Sequence, residues 1–126
     1  MKPKPFRITF DIDDTLLPKN GRQEKHCAAL RALYQALRQA KNVELHCVSG
    51  RTETSRPHTL IQLHEVGIKL ASGRLHLKPN ADMADAEHKL AMAQRLQPAL
   101  VIDNSEVCRG FLEKAGFTYL KVTMAG

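Results

Sequence analysis

The stretch Ile8-Thr9-Phe10-Asp11-Ile12-Asp13-Asp14-Thr15 constrains this chain more than any other. An apolar run suited to a buried strand changes within one residue to three carboxylates in four positions. Like charges gathered at the end of a buried strand repel one another, and the usual compensation is a bound cation or a shifted pKa. On an extended strand Asp11 and Asp13 share a face, and a strand that ends at Asp11 and curls brings both carboxylates to one point. A hard divalent cation, Mg2+, suits oxygen ligands placed there, while the second carboxylate stays free for proton transfer. An EF-hand calcium loop also opens with Asp-x-Asp, but it needs glycine at its sixth position and glutamate at its twelfth. Counting from Asp11 finds Leu16 and Arg22, so that reading fails. A solvated acidic turn after an edge strand is the remaining competitor, and the residues further along decide against it.

A chain of 126 residues with 43% hydrophobic content is expected to form one domain, spanning 1–126, with a core of ordinary size. The start, Met1-Lys2-Pro3-Lys4-Pro5-Phe6, is charged and has no apolar leader segment, and nowhere do about eighteen apolar residues run together. A soluble, cytoplasmic protein without a membrane partner is therefore expected. Cys27, Cys47 and Cys108 are odd in number and share no CxxC spacing, which argues for reduced thiols and against a disulfide framework or zinc site. The net charge of +6 favours phosphorylated substrates or polyanionic partners, nucleic acid among them. The six histidines show no metal-ligand spacing and read as surface or partly buried residues.

In order, a basic lead-in from Lys2 runs into a first strand ending at Phe10, and Pro18-Lys19-Asn20-Gly21 makes a loop. Cys27, Leu30, Leu33, Tyr34 and Leu37 recur at helical spacing within about 22–40. A second strand over 43–48 ends in Ser49-Gly50-Arg51, where a hydroxyl and backbone N–H groups can approach a phosphate. Thr54 or Ser55 caps a helix that runs to Val66 and stops at Gly67. A third strand is expected over 68–71 and an irregular ribbon over 72–79. A helix then starts at Asp82 or Asp85 and ends before Pro98, and a fourth strand over 100–102 stops at Asp103-Asn104. Ser105 caps a last helix with Val107, Phe111 and Leu112 inward, Gly116 ends it, and a fifth strand covers 117–122.

Strands alternating with helices predict an α/β fold, a doubly wound, Rossmann-like, five-stranded parallel sheet with helices on both faces. Ligands bind such sheets at the carboxyl ends of the strands. Asp11, Ser49 and Asp103 each follow a strand directly and are expected on that one rim.

With these motifs the chain resembles the haloacid dehalogenase-like (HAD) phosphohydrolases over nearly its whole length. Their first motif, an apolar strand followed by Asp-x-Asp-x-Thr, is matched by Asp11-Ile12-Asp13-Asp14-Thr15; their second, a hydroxyl residue after a strand, by Ser49. A lysine and a later acid complete the set. Asp103 supplies the acid, and the lysine is either Lys78, in Lys78-Pro79, or Lys89, which is favoured. The stretch from Leu77 to Gly116 is similar to the phosphatase domain of the polynucleotide kinase/3′-phosphatase branch. The resemblance implies Asp11 as nucleophile forming an aspartyl-phosphate, and Asp13 as general acid and then base with a raised pKa. It implies Mg2+ held by Asp11, the Asp13 backbone carbonyl, Asp103 and Asn104. Substrate contacts are expected from Thr15, Ser49, Gly50, Arg51 and Lys78, with Lys19 and Arg22 as further candidates near the rim. Where the family often has a second acid, this chain has Asn104.

The short spacings between motifs leave no room for a cap domain, and an open site suits a bulky substrate such as a nucleic-acid end or a phosphoprotein; a nucleic-acid 3′-phosphate or a nucleotide is the expected substrate. A sugar-phosphate phosphatase closed by oligomerisation, its oligomeric state open, and a non-catalytic binding module are the alternatives. A phosphoacceptor signalling domain would need an aspartate after the third strand, where Ala71-Ser72-Gly73 stands.

Overall fold

The computed structural model describes residues 4–123; the first part of the basic lead-in, Met1-Lys2-Pro3, lies outside them. Five parallel strands, β1 (Phe6–Phe10), β2 (Val43–Thr52), β3 (Leu75–Lys78), β4 (Leu100–Asp103) and β5 (Tyr119–Lys121), form one sheet in the order β3-β2-β1-β4-β5. The connections carry helices α1 (Glu24–Arg38), α2 (Arg56–Glu65), α3 (Asp85–Leu96) and α4 (Glu106–Lys114). This is the expected α/β, Rossmann-like, doubly wound arrangement. Strand order reverses between β1 and β4, and the crevice at such a reversal is where open α/β sheets take ligands. The order also differs from the 2-1-3-4-5 arrangement of phosphoacceptor domains, and β3 is followed by Pro79-Asn80, not by an aspartate.

Alternation along the strands divides the sheet into unlike faces. Ile8, Phe10, Leu45, Cys47, Leu75, Leu77 and Ile102 meet Leu30 and Tyr34 of α1 and Leu63 of α2 in the main apolar core. The ring of Phe10 stands edge-on to Tyr34 with centroids 5.3 Å apart. A smaller cluster, Ala93, Val101 and Leu112, lies under α3 and α4. The residues between, Thr9, His46 and Lys78, make the α3 side of the sheet far more polar. All three cysteines are free and buried.

Four local expectations change. No strand forms over 68–71; the third strand is Leu75–Lys78, preceded by a short 3-10 turn at Ser72–Arg74. Ile68 is apolar for another reason. Gly67, at φ 89°, ends α2: its N–H donates to the His64 carbonyl (3.0 Å), and the Ile68 N–H donates to the Leu63 carbonyl (2.9 Å). This is the Schellman arrangement, in which the residue after the left-handed glycine packs against the last helical turn. Ile68 and Leu63 are accordingly both fully buried. Second, β2 continues past Val48 to Thr52, with its register to β3 shifting between those two residues. Third, Val107 and Phe111 face outward on α4, at 65% and 53% exposure, while Cys108 and Leu112 face the sheet. α4 covers only the narrow margin beside the three-residue β5, so one stripe of its apolar residues is enough. Fourth, Ser55 precedes α2 but does not cap it through its side chain, whereas Ser105 accepts the Cys108 N–H at 3.2 Å.

The two faces of α4 make a stability contrast. Leu112→Ala is expected to lower unfolding free energy by about 2–5 kcal/mol, and Phe111→Ala to change it by about 0.5 kcal/mol or less, measured by urea denaturation.

Candidate active site

β1 and β4 lie side by side, and the Asp11 N–H extends their pairing by donating to the Ile102 carbonyl (2.9 Å). Asp11 and Asp103 therefore emerge together at the carboxyl end of the sheet. Lys89, in the second turn of α3, reaches down between them: its Nζ donates to Asp11 Oδ1 (3.1 Å) and to Asp103 Oδ2 (2.8 Å). All three residues are buried. Asp103 Oδ1 also accepts the Asn104 backbone N–H at 2.7 Å. Among the described residues Asp11 Oδ2 is left with Thr15 Oγ1 at 3.5 Å as its only partner.

Two carboxylates face one ammonium, so the ionised cluster carries one uncompensated negative charge in a low-dielectric place. Burial pushes the Asp11 carboxyl up to about 8, against the pull of Lys89 and with the repulsion of Asp103 adding to the push. Burial alone would lower Lys89, but Asp11 and Asp103 together outweigh it and hold the ammonium's pKa above its ordinary value.

Asp13 does not converge on the same point. After Asp11 the chain turns tightly: Asp14 is left-handed at φ 59°, and the Ile12 carbonyl accepts the N–H groups of Thr15, Leu16 and Leu17 at 3.1, 2.8 and 3.0 Å. Buried Ile12, Leu16 and Leu17 anchor this turn in the main core. It directs the Asp13 carboxylate to Arg51, whose Nε and Nη2 donate to Oδ2 (3.1 Å) and Oδ1 (2.8 Å) in a two-pronged pair. Arg51 Nη1 is held in turn by Thr59 Oγ1 (3.1 Å) and Gln62 Oε1 (2.5 Å) of α2. The curl that sequence spacing suggested exists, but a long-range guanidinium takes the second carboxylate.

Ser49 is fully buried, and its Oγ accepts the Arg51 N–H at 3.0 Å, leaving its own proton to donate. Gly50 is tightly covered. A Cβ there would lie 2.6 Å from Asp85 Oδ1, so a larger residue would push the Asp85 carboxylate out of its present place. Asp85 is fixed by Lys78, whose Nζ donates to its Oδ1 (2.8 Å) and to the Met83 carbonyl (2.9 Å). Of the two candidate lysines, Lys89 thus meets Asp11 and Lys78 fastens the loop before α3. Lys19 and Arg22 are exposed, and their described hydrogen bonds are local to the loop: the Lys19 N–H donates to Asp14 Oδ1 and the Arg22 N–H to Asn20 Oδ1. Sequence reading missed Asp85, Thr59 and Gln62. A glycine next to a site serine was the one local sign that something packs closely there.

The four expected metal ligands fit Mg2+ only in part. Among the described residues no group of three or more His, Cys, Asp or Glu side chains is gathered to hold an ion. Asn104 offers the wrong end, its Nδ2 donating to the Asp13 carbonyl at 3.3 Å. Asp11, Asp103 and that carbonyl remain as hard oxygen donors, and a cation there would replace the proton that Asp11 holds below about pH 8. Mg2+ is commonly bound by one or two carboxylates with waters and substrate phosphate completing its shell, so this set suits it.

Folded Asp11 takes up its proton more readily than the unfolded residue, between the ordinary value of 3.8 and about 8. Its stabilising contribution is therefore lost as pH rises through that window. With EDTA present, Asp11→Asn is expected to melt at a higher temperature than the parent protein at pH 8, the gap closing toward pH 4, as read by calorimetry.

Searched against models of protein families and against the curated proteins, the chain matches none.

Proposed function

We propose that this chain is a capless HAD-like phosphomonoesterase that depends on Mg2+ and works through an aspartyl-phosphate. The observation that supports the reading most is the buried Asp11–Lys89–Asp103 cluster, set at the strand-order reversal, with Asp11 Oδ2 met only by the Thr15 hydroxyl at 3.5 Å among the described residues. Lys89 holds Asp11 Oδ1, so Oδ2 is the oxygen that attacks phosphorus. An Asp–O–P bond forms as the ester P–O bond breaks, and Asp13 gives its proton to the leaving alkoxide. Asp13 then takes a proton from water, which attacks the phosphorus, frees phosphate and restores Asp11. For that work Asp13 has to leave Arg51, and a phosphate dianion is the natural competitor for a two-pronged guanidinium. Ser49 donates its hydroxyl proton to a phosphoryl oxygen, and Thr15 keeps Oδ2 oriented. Asp11, Asp103 and the Asp13 carbonyl would hold Mg2+, which neutralises charge between nucleophile and phosphate.

Preferred substrates are nucleic-acid 3′-phosphate ends or nucleotides, because the short spacings between the motifs leave no room for a cap domain and the chain is basic; a small sugar phosphate stands behind them. The reading of a binding module without turnover draws on one observation: Asp13 and Asn104 are engaged with protein partners, Arg51 and the Asp13 carbonyl.

Phosphate release from p-nitrophenyl phosphate and from a 3′-phosphorylated oligonucleotide, with Mg2+ or EDTA, separates the two. Metal-dependent turnover is expected, lowered by about a thousandfold or more in Asp11→Asn. Lys89→Met should lose about a hundredfold, and Lys78→Met should stay within about tenfold of the parent. Absence of metal-dependent release from folded protein across a phosphometabolite panel would favour the binding module.

A further inference from the structure

Asp13 and Arg51 are joined by two hydrogen bonds but are not held equally. The Asp13 carboxylate has Arg51 as its only hydrogen-bond partner among the described residues, at 3.1 and 2.8 Å. Arg51 is attached elsewhere as well. Its backbone N–H donates to Ser49 Oγ at 3.0 Å, and its Nη1, which carries two hydrogens, donates to Thr59 Oγ1 (3.1 Å) and Gln62 Oε1 (2.5 Å) on α2. The Thr59 contact is itself fixed. The Ser55 hydroxyl donates to the Thr52 carbonyl (2.8 Å), so its oxygen is the acceptor in the 3.2 Å contact with Thr59 Oγ1. Thr59, fully buried, therefore gives its proton to Ser55 and keeps a lone pair for Arg51. A line of hydrogen bonds thus runs from the guanidinium through Thr59 and Ser55 back to the end of β2, the strand that carries Arg51.

The anchored nitrogen and the pairing nitrogens lie on different edges of the guanidinium. Nη1 points to α2, whereas Nε and Nη2 form the fork that Asp13 occupies. The fork therefore keeps its place without Asp13. With no second tether, the Asp13 carboxylate is the member that moves when the pair parts. Its side chain is 28% exposed and that of Arg51 19%, so an ion arriving from solvent can reach the pair. A phosphate dianion brings the same forked oxygens as a carboxylate and twice its charge.

We propose that Thr59 and Gln62 are positioning residues that hold the Arg51 fork still, so that a phosphoryl dianion entering it displaces Asp13 and frees that carboxylate for the leaving group. The general acid is thereby withheld until the fork is filled. Freed of the guanidinium, Asp13 takes from solvent the proton that it later gives to the alkoxide. The role of Asp13 rests on the phosphomonoesterase reading; the anchored fork as a receiver of phosphate does not.

Inorganic phosphate, added with Mg2+ to the whole chain at neutral pH, is the probe. It is expected to shift the ¹⁵N resonance of Arg51 Nε and the ¹³C resonance of the Asp13 carboxylate, leaving Arg109 Nε unmoved. Calorimetry then reads affinity. Gln62→Met and Thr59→Val should each weaken phosphate binding about tenfold, and Thr59→Ser, which keeps the hydroxyl, should stay within about threefold of the parent. Asp13→Asn removes the competitor and should bind phosphate about tenfold tighter, whereas Asp14→Asn, which removes an equal charge one residue along, should not. With p-nitrophenyl phosphate, Gln62→Met should raise KM about tenfold and leave kcat within about threefold; loss of folded protein alone would lower kcat and spare KM. An Arg51 Nε resonance that phosphate does not move overturns the proposal whatever the turnover, and it is read in the unsubstituted protein, so no variant has to fold. Unchanged affinity in both Gln62→Met and Thr59→Val overturns it as well. Phosphate at the fork without release from any monoester supports the anchored fork and overturns the phosphomonoesterase reading instead.

Discussion

The contact on which the rest of the arrangement depends is the Lys89 ammonium between Asp11 and Asp103. It ties three segments far apart in sequence, the ends of β1 and β4 and the second turn of α3, at the point where the sheet changes direction. Two buried carboxylates cannot stay ionised side by side without a positive partner, so α3 must sit where its lysine reaches both. That requirement explains other features nearby. Gly50 leaves room for the Asp85 carboxylate at the start of α3, and Lys78 fastens that carboxylate there. One ammonium does not neutralise two carboxylates, so below about pH 8 a proton on Asp11 supplies the balance, and a cation can take that proton's place.

Much of the frame was legible in the sequence because its signals are local. Apolar runs ending in Asp11 and Asp103, helical spacing through Leu30 and Tyr34, and Ser105 and Gly116 as the start and stop of the last helix all found their places within a few residues. The lost third strand had a local cause of a different kind, since Ile68 closes a helix end and the true β3 is only four residues long. The outward face of α4 was not legible, because neighbouring helical stripes, 107/111 and 108/112, are equally apolar and only the width of the sheet beneath chooses between them.

At the site, the residues that emerge from strand ends could be named, and their partners could not. Asp13 was expected beside Asp11 because spacing along a strand was the only guide. Its actual partner, Arg51, is thirty-eight positions away and is aimed by Thr59 and Gln62 from another helix. The histidines illustrate the same limit. No spacing links His46, His76 and His88, yet β2, β3 and α3 bring them into one hydrogen-bonded series.

The unlike faces of the sheet bear on how the molecule moves. α1 is held by apolar packing, which has no preferred direction and yields gradually. α3 has a modest apolar footing, Ala86, Ala93 and Leu96, and otherwise rests on directed contacts from Lys89, His88 and Asp85. Such contacts are lost together once their geometry is broken, and the charges they leave are better solvated outside. Local opening therefore belongs to α3, whose amides should exchange with solvent by an excursion that leaves α1 and the strands beneath it closed. The helix carrying the site's lysine is thus also the one whose detachment would bare the carboxylates to water.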